Sequence, residues 1–130
     1  MVILITGGGG FLGSEIARMC HQEGHKVRVL GRSDQPLMRE QGMEVYQADL
    51  ADADEEKLRQ ACQGVDAVIH TAAKAGIWGR WESYYRTNVL GTRRVIAACV
   101  TMRIPKRSLK KTHYPLMVKM AYRSWLYAPI

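Results

Sequence analysis

Apolar and polar positions alternate between two patterns along the first hundred residues, and the alternation predicts an architecture. Residues 2–5 (Val-Ile-Leu-Ile) form an unbroken apolar run, as in a strand covered on both faces. Residues 11–22 follow with Leu12, Ile16, Ala17, Met19 and Cys20 at helical spacing, and Gly24 supplies the C-terminal stop. A second strand is expected at 27–30, then loop and short helix around Pro36 over 32–42, and a third strand at 43–48. Residues 53–63 place Leu58, Ala61 and Cys62 on one helical face, 65–70 read as a fourth strand, and a single long helix is predicted over 81–100. Such alternation predicts an α/β fold: a Rossmann-like open parallel sheet with helices on both faces, in strand order 3-2-1-4. A ligand crevice then lies between strands 1 and 4, where the strand order reverses.

Between the first strand and first helix stands Thr6-Gly7-Gly8-Gly9-Gly10-Phe11-Leu12-Gly13. Two registers fit, GxGxxG on Gly8, Gly10 and Gly13, or GxxGxxG on Gly7, Gly10 and Gly13. Both make the same physical demands: a turn at positive φ, a backbone bare enough to approach a pyrophosphate, and a close helix–strand contact. The helix N-terminus then offers free N–H groups and its positive end to the phosphates. A triphosphate P-loop is excluded, because Ser14 stands where GxxxxGK[ST] needs its lysine and Glu15 would repel the phosphates.

Other residues carry weaker signals. Asp49, at the carboxyl end of the third strand, can accept the adenine amino group or serve as an ordinary turn Asp. Gly91 inside a helix costs roughly 1 kcal/mol against alanine, so a close neighbour is its expected reason. At the end of the second strand, Gly31 occupies the position that selects NAD when acidic, and Arg32 follows. A guanidinium there suits a 2′-phosphate and tilts the reading from NAD toward NADP, although Asp34 could also reach the ribose. Tyr84 and Tyr85 read as packing residues and His70 as a hydrogen-bonded structural histidine. Cys20, Cys62 and Cys99 are odd in number and lack CxxC spacing, which points to reduced thiols, a cytoplasmic setting and no metal site.

Four ordered motifs together resemble the extended short-chain dehydrogenase/reductases, the NAD-dependent epimerase/dehydratase group. They are the Thr6–Gly13 loop, Ala48-Asp49-Leu50, His70-Thr71-Ala72-Ala73, and Asn88-Val89-x-Gly91-Thr92. The stretch Ala72-Ala73-Lys74-Ala75-Gly76-Ile77-Trp78-Gly79 is most similar to the 3β-hydroxysteroid dehydrogenase/isomerase-like branch. The resemblance implies cofactor contacts at Thr6, Gly7, Gly10, Phe11, Leu12, Gly13, Asp49, Leu50, Thr71, Ala72 and Ala73, to which the strand-end reading above adds Arg32. It makes Asn88 an accessory active-site residue that fixes a water near the catalytic lysine. It also implies an NAD(P)-dependent oxidoreductase acting on a hydroxyl or keto group of a steroid-like or other apolar substrate.

Charge divides the chain. The net charge is +7, yet the first hundred residues hold 12 basic and 12 acidic residues, and the last thirty hold seven basic residues and no acid. The expected organisation is a dinucleotide-binding domain at 1–106, truncated after about four strands, followed by a basic tail at 107–130. That tail reads as non-native sequence, as a membrane or partner helix over 116–127, or as a nucleic-acid patch, though no nucleic-acid motif accompanies it. The family's Tyr-x-x-x-Lys pair is absent. Tyr114 and Lys119 come nearest, but five residues place them about 140° apart on a helix. The expected chain therefore binds dinucleotide without turnover, and a small-molecule substrate belongs only to a longer relative. It is also expected to self-associate at the strand-4 edge and to expose Val95, Ile96 and Cys99. A binding module working through its basic tail is the alternative.

Overall fold

The computed structural model describes residues 1–52 and 55–102. Four parallel strands, β1 (Val2–Thr6), β2 (Lys26–Gly31), β3 (Glu44–Gln47) and β4 (Ala67–His70), lie in the order β3-β2-β1-β4. This is the expected Rossmann-like sheet, with β1 in the interior paired to β2 (Ile5 opposite Val29) and to β4 (Ile5 opposite Ile69). Helices α1 (Phe11–Gln22), α2 (Pro36–Glu40), α3 (Glu55–Cys62), α4 (Trp81–Tyr84) and α5 (Gly91–Thr101) complete the described fold. The expected beginning of α3 at 53–54 lies outside the described residues, as do the tail, Tyr114 and Lys119.

The period of two along β1 and β2 divides the core. Ile3, Ile5, Val27 and Val29 face α1 and α2, where they pack with Ile16, Ala17, Cys20, Met38 and Met43. Leu4 and Leu30 face the other way, onto Leu58, Ala61 and Cys62 of α3 and Val95 and Ala98 of α5. Burying both faces explains why these strands read as continuous apolar runs. Each such Leu, Ile or Val contributes roughly 1.5–3 kcal/mol by leaving water.

Three expectations need correction. The helix predicted over 81–100 is interrupted: α4 passes into a π-helical turn over Tyr85–Leu90 before α5 begins. One additional residue per turn is invisible to a 3.6-residue reading of apolar positions, and such turns concentrate at functional sites. Strand 4 begins at Ala67 rather than Val65, because Val65 bonds back to the carbonyl of Cys62 at the end of α3. Val95 is buried and Cys99 packs against the core, so of the three residues expected to be bare only Ile96 is exposed.

Candidate functional site

The carboxyl ends of β1, β2 and β3 open onto a cavity of ≈ 260 Å³. Its floor is the glycine loop. Gly7 has φ 73°, and a Cβ there would lie 2.6 Å from the backbone nitrogen of Ala72, so only glycine makes this turn. The positive φ falls on Gly7, not Gly8, and fixes the register as Gly7, Gly10 and Gly13. A Cβ on Gly13 would collide with the Gly7 carbonyl, which ties α1 tightly to the end of β1. Gly10 is the N-cap of α1 and no side chain caps the first turn, leaving its N–H groups to a ligand.

Of the residues singled out by resemblance, the cavity brings together Gly7, Gly10, Arg32, Asp49, Leu50, Thr71, Ala72 and Ala73. Thr6, Phe11, Leu12, Gly13 and Asn88 do not line it. Thr6 is completely buried beneath the loop, whereas Phe11 is 97% exposed and Leu12 is 44% exposed. Asp34 pairs with Arg39 at 2.7 Å and does not line the cavity. Asp49 accepts the Ala51 N–H at 2.9 Å while remaining on the cavity wall.

Sequence reasoning missed several lining residues. Leu30 and Ser33, at and just beyond the carboxyl end of β2, follow from the rule that ligands sit at the carboxyl ends of parallel strands, which could have found them. Gln35 reaches over the loop from α2's N-terminal side, where a Cβ on Gly9 would strike its amide. Lys74 and Thr87 come from a loop and the π-turn meeting in space, and no local pattern announces them.

The far wall is built from side-chain hydrogen bonds. Asn88, in the π-turn, accepts the Lys74 backbone N–H at 2.7 Å and donates to the Lys74 carbonyl at 3.0 Å. The Lys74 ammonium donates to Ser83 Oγ at 2.7 Å and lies 5.0 Å from the Tyr84 ring centre. Tyr84 in turn donates to the Trp78 carbonyl at 2.7 Å, and Tyr85 stacks on Trp81. Tyr84 therefore shapes the loop and Tyr85 packs on α4, consistent with packing roles.

His70 joins the two walls. Thr92 donates its only hydroxyl proton to the Asn88 carbonyl at 2.6 Å, so His70 Nε2, 2.9 Å away, must donate to Thr92 Oγ1. A neutral ring then leaves Nδ1 to accept from the Thr6 hydroxyl at 2.6 Å. Burial lowers the His70 pKa from 6.5 and favours this neutral form. Gly91 approaches Leu50 closely, with a Cβ position 3.0 Å from the Leu50 Cβ, which answers why a glycine stands in a helix. Among the described residues no cluster of His, Cys, Asp or Glu could hold a metal ion, and no helix is long and apolar enough to cross a membrane.

This geometry has counterparts in known proteins. The profile of the NAD dependent epimerase/dehydratase family matches residues 3–113. The chain is 48% identical over 99 residues to a 2-alkyl-3-oxoalkanoate reductase of Stenotrophomonas maltophilia (strain K279a), covering 76% of this chain and 29% of that protein. It is 41% identical over 102 residues to a reductase of the same name from Shewanella oneidensis, covering 78% and 26%. The chain thus spans less than a third of the length of the curated relatives it matches. Among solved structures it resembles the UDP-glucose 4-epimerase of Thermus thermophilus in complex with NAD. There the TM-score is 0.69 at 28% identity, over 80% of this chain and 35% of that one.

Proposed function

The chain belongs to the NAD dependent epimerase/dehydratase family, and from that premise we propose that residues 1–106 form the dinucleotide-binding part of an NAD(P)-dependent oxidoreductase. One observation carries the reading: a glycine turn that admits no Cβ at Gly7 or Gly13, set under an uncapped helix N-terminus at the β1/β4 switch point. Those features fit a pyrophosphate, because the backbone can approach it and the helix end stabilises its charge. Asp49 and Leu50 would hold the adenosine end, and Thr71, Ala72 and Ala73 would underlie the middle of the cofactor. When bound, the nicotinamide supplies or takes up a hydride.

The relatives named 2-alkyl-3-oxoalkanoate reductase support a keto group on an apolar substrate as the reacting class, rather than a steroid specifically. Arg32 on the cavity rim favours NADP over NAD through its match to a 2′-phosphate. Asn88 would serve the reaction by holding the Lys74 segment in place. These residues bind and position, and none is a proton donor, since the sequence contains no Tyr-x-x-x-Lys pair. Three thiols without CxxC spacing support a reducing, cytoplasmic setting.

Fluorescence titration with NADPH and NADH tests this. Gly10 is the informative position, since a Cβ there meets the Gly7 carbonyl at 3.2 Å, a tight contact but milder than those at Gly7 and Gly13. Gly10→Val should lower the thermal midpoint less than Gly13→Val does and remove dinucleotide binding. Equal affinity in the two proteins would reject the assignment of the loop.

A further inference from the structure

Beyond β3 the chain leaves the sheet at Ala48, whose N–H bonds to the Gly31 carbonyl at 2.9 Å. The next residues, Asp49 and Leu50, form part of the cavity wall with no strand to hold them. Their own turn is slight: the Asp49 carboxylate accepts from Ala51 N–H, and Asp52 N–H reaches the Asp49 carbonyl at 3.2 Å. The stronger restraint comes from the opposite side of the fold. Arg94 of α5 drives one guanidinium nitrogen between two backbone carbonyls, Leu50 at 2.5 Å and Ala51 at 2.9 Å, in a partly buried setting. Eight residues earlier, in the π-turn, Arg86 pairs with Asp52 at 2.5 Å. Gly91, between them, lets Leu50 pack against the helix. One helical rod therefore grips the loop at three consecutive residues by charged donors and at Leu50 by contact.

We infer that Arg94, assisted by Arg86, is a positioning residue for the adenosine half of a bound dinucleotide, acting through the Asp49–Leu50 wall. The inference rests on the cofactor reading above and adds a division of labour to it. The glycine loop binds the pyrophosphate by backbone geometry alone, whereas the adenosine wall depends on two arginines more than 30 residues away in sequence. A charged donor bonded to carbonyls fixes the loop's backbone direction, and with it the place of Asp49 on the cavity wall. Loss of that donor frees the loop and leaves two carbonyls short of a partner, so the preorganisation of the adenosine site is lost while the pyrophosphate site stays intact.

Competition against bound NADPH separates the two ends, with AMP probing the adenosine wall and inorganic pyrophosphate probing the glycine loop. In Arg94→Met, AMP should compete about tenfold less well, the scale of one charge-assisted hydrogen bond, while pyrophosphate stays within about twofold. Arg94→Lys should recover part of the loss, since an ammonium keeps the charge and can donate to carbonyls but sits on a stem with a shorter reach than the guanidinium. Arg86→Gln should lose about two- to threefold at low salt and nothing at high salt, as expected for an exposed ion pair. Undiminished AMP binding in Arg94→Met, or an equal loss of AMP and pyrophosphate, overturns the inference. If Arg94→Met does not fold, AMP binding at the wild-type level in both Arg94→Lys and Arg86→Gln overturns it. Wild-type protein that binds NADPH while the variants match it defeats the positioning role alone. Wild-type protein that binds neither NADPH nor AMP defeats the cofactor reading and this inference together.

Discussion

The two walls of the cavity are made by different means. The β1–α1 wall is a backbone object: Gly7 turns because it lacks a side chain, and Gly13 packs for the same reason. The wall formed by the β4 loop and the π-turn is a side-chain object, held by Asn88 on Lys74 and His70 between Thr6 and Thr92, and so is the loop after β3, held by Arg94 on Leu50 and Ala51. The first should fail abruptly when a Cβ is added at Gly7 or Gly13. The second should fail by degrees, one hydrogen bond at a time.

The sharpest break in that comparison lies at Gly7. Gly7→Ala combines a disfavoured positive φ with a Cβ 2.6 Å from the Ala72 nitrogen, both of them backbone constraints with nowhere to relax. It should cost more than about 3 kcal/mol, read as a drop in the urea midpoint. A loss below about 1 kcal/mol would mean that the turn is not sterically set.

On the other wall, Asn88→Ala removes both bonds to Lys74 and should cost about 1–3 kcal/mol in the same measurement. Asn88→Asp keeps the acceptor for the Lys74 N–H but sets a carboxylate oxygen against the Lys74 carbonyl, so it should also fall well below wild type. If aspartate matches wild type, the amide is not oriented as described.

The smallest effect is the pH dependence contributed by His70. Burial lowers its folded pKa below 6.5, so the unfolded chain binds the additional proton more readily. Its stabilising contribution is complete above pH 6.5 and is lost as the pH falls through the lowered folded value. The slope is at most about 1.4 kcal/mol per pH unit for one proton. His70→Asn should flatten the stability curve in that window; an unaltered slope would place the titration elsewhere.

The same contrast explains what could be read from the residues. Strand order and the glycine loop were legible because their causes are local: apolar β-branched runs declare buried strands, and glycine declares a turn that nothing else can make. Lys74, Thr87 and Arg94 were not, because their roles arise where segments 14 to 44 residues apart meet. The π-turn was hidden for a related reason, since it alters helical phase without altering composition. His70 was legible as a bonded histidine, but its direction of donation required the Thr92–Asn88 bond.

The interior position of β1 also bears on the order of events in time. A ribosome delivers this strand before β2, β3 and β4, yet its two flanks are filled at very different moments. The β2 side can zip within one helix-and-turn of synthesis. The β4 side waits for residues 64 positions downstream, where Asp66 caps the Val2 N–H and Ala67 meets Ile3. Until then, half of the apolar ribbon at Ile3 and Ile5 has an open hydrogen-bonding edge. The closing step is a long-range one and therefore slow. Nascent chains stalled before residue 67 should be the ones that chaperones hold longest.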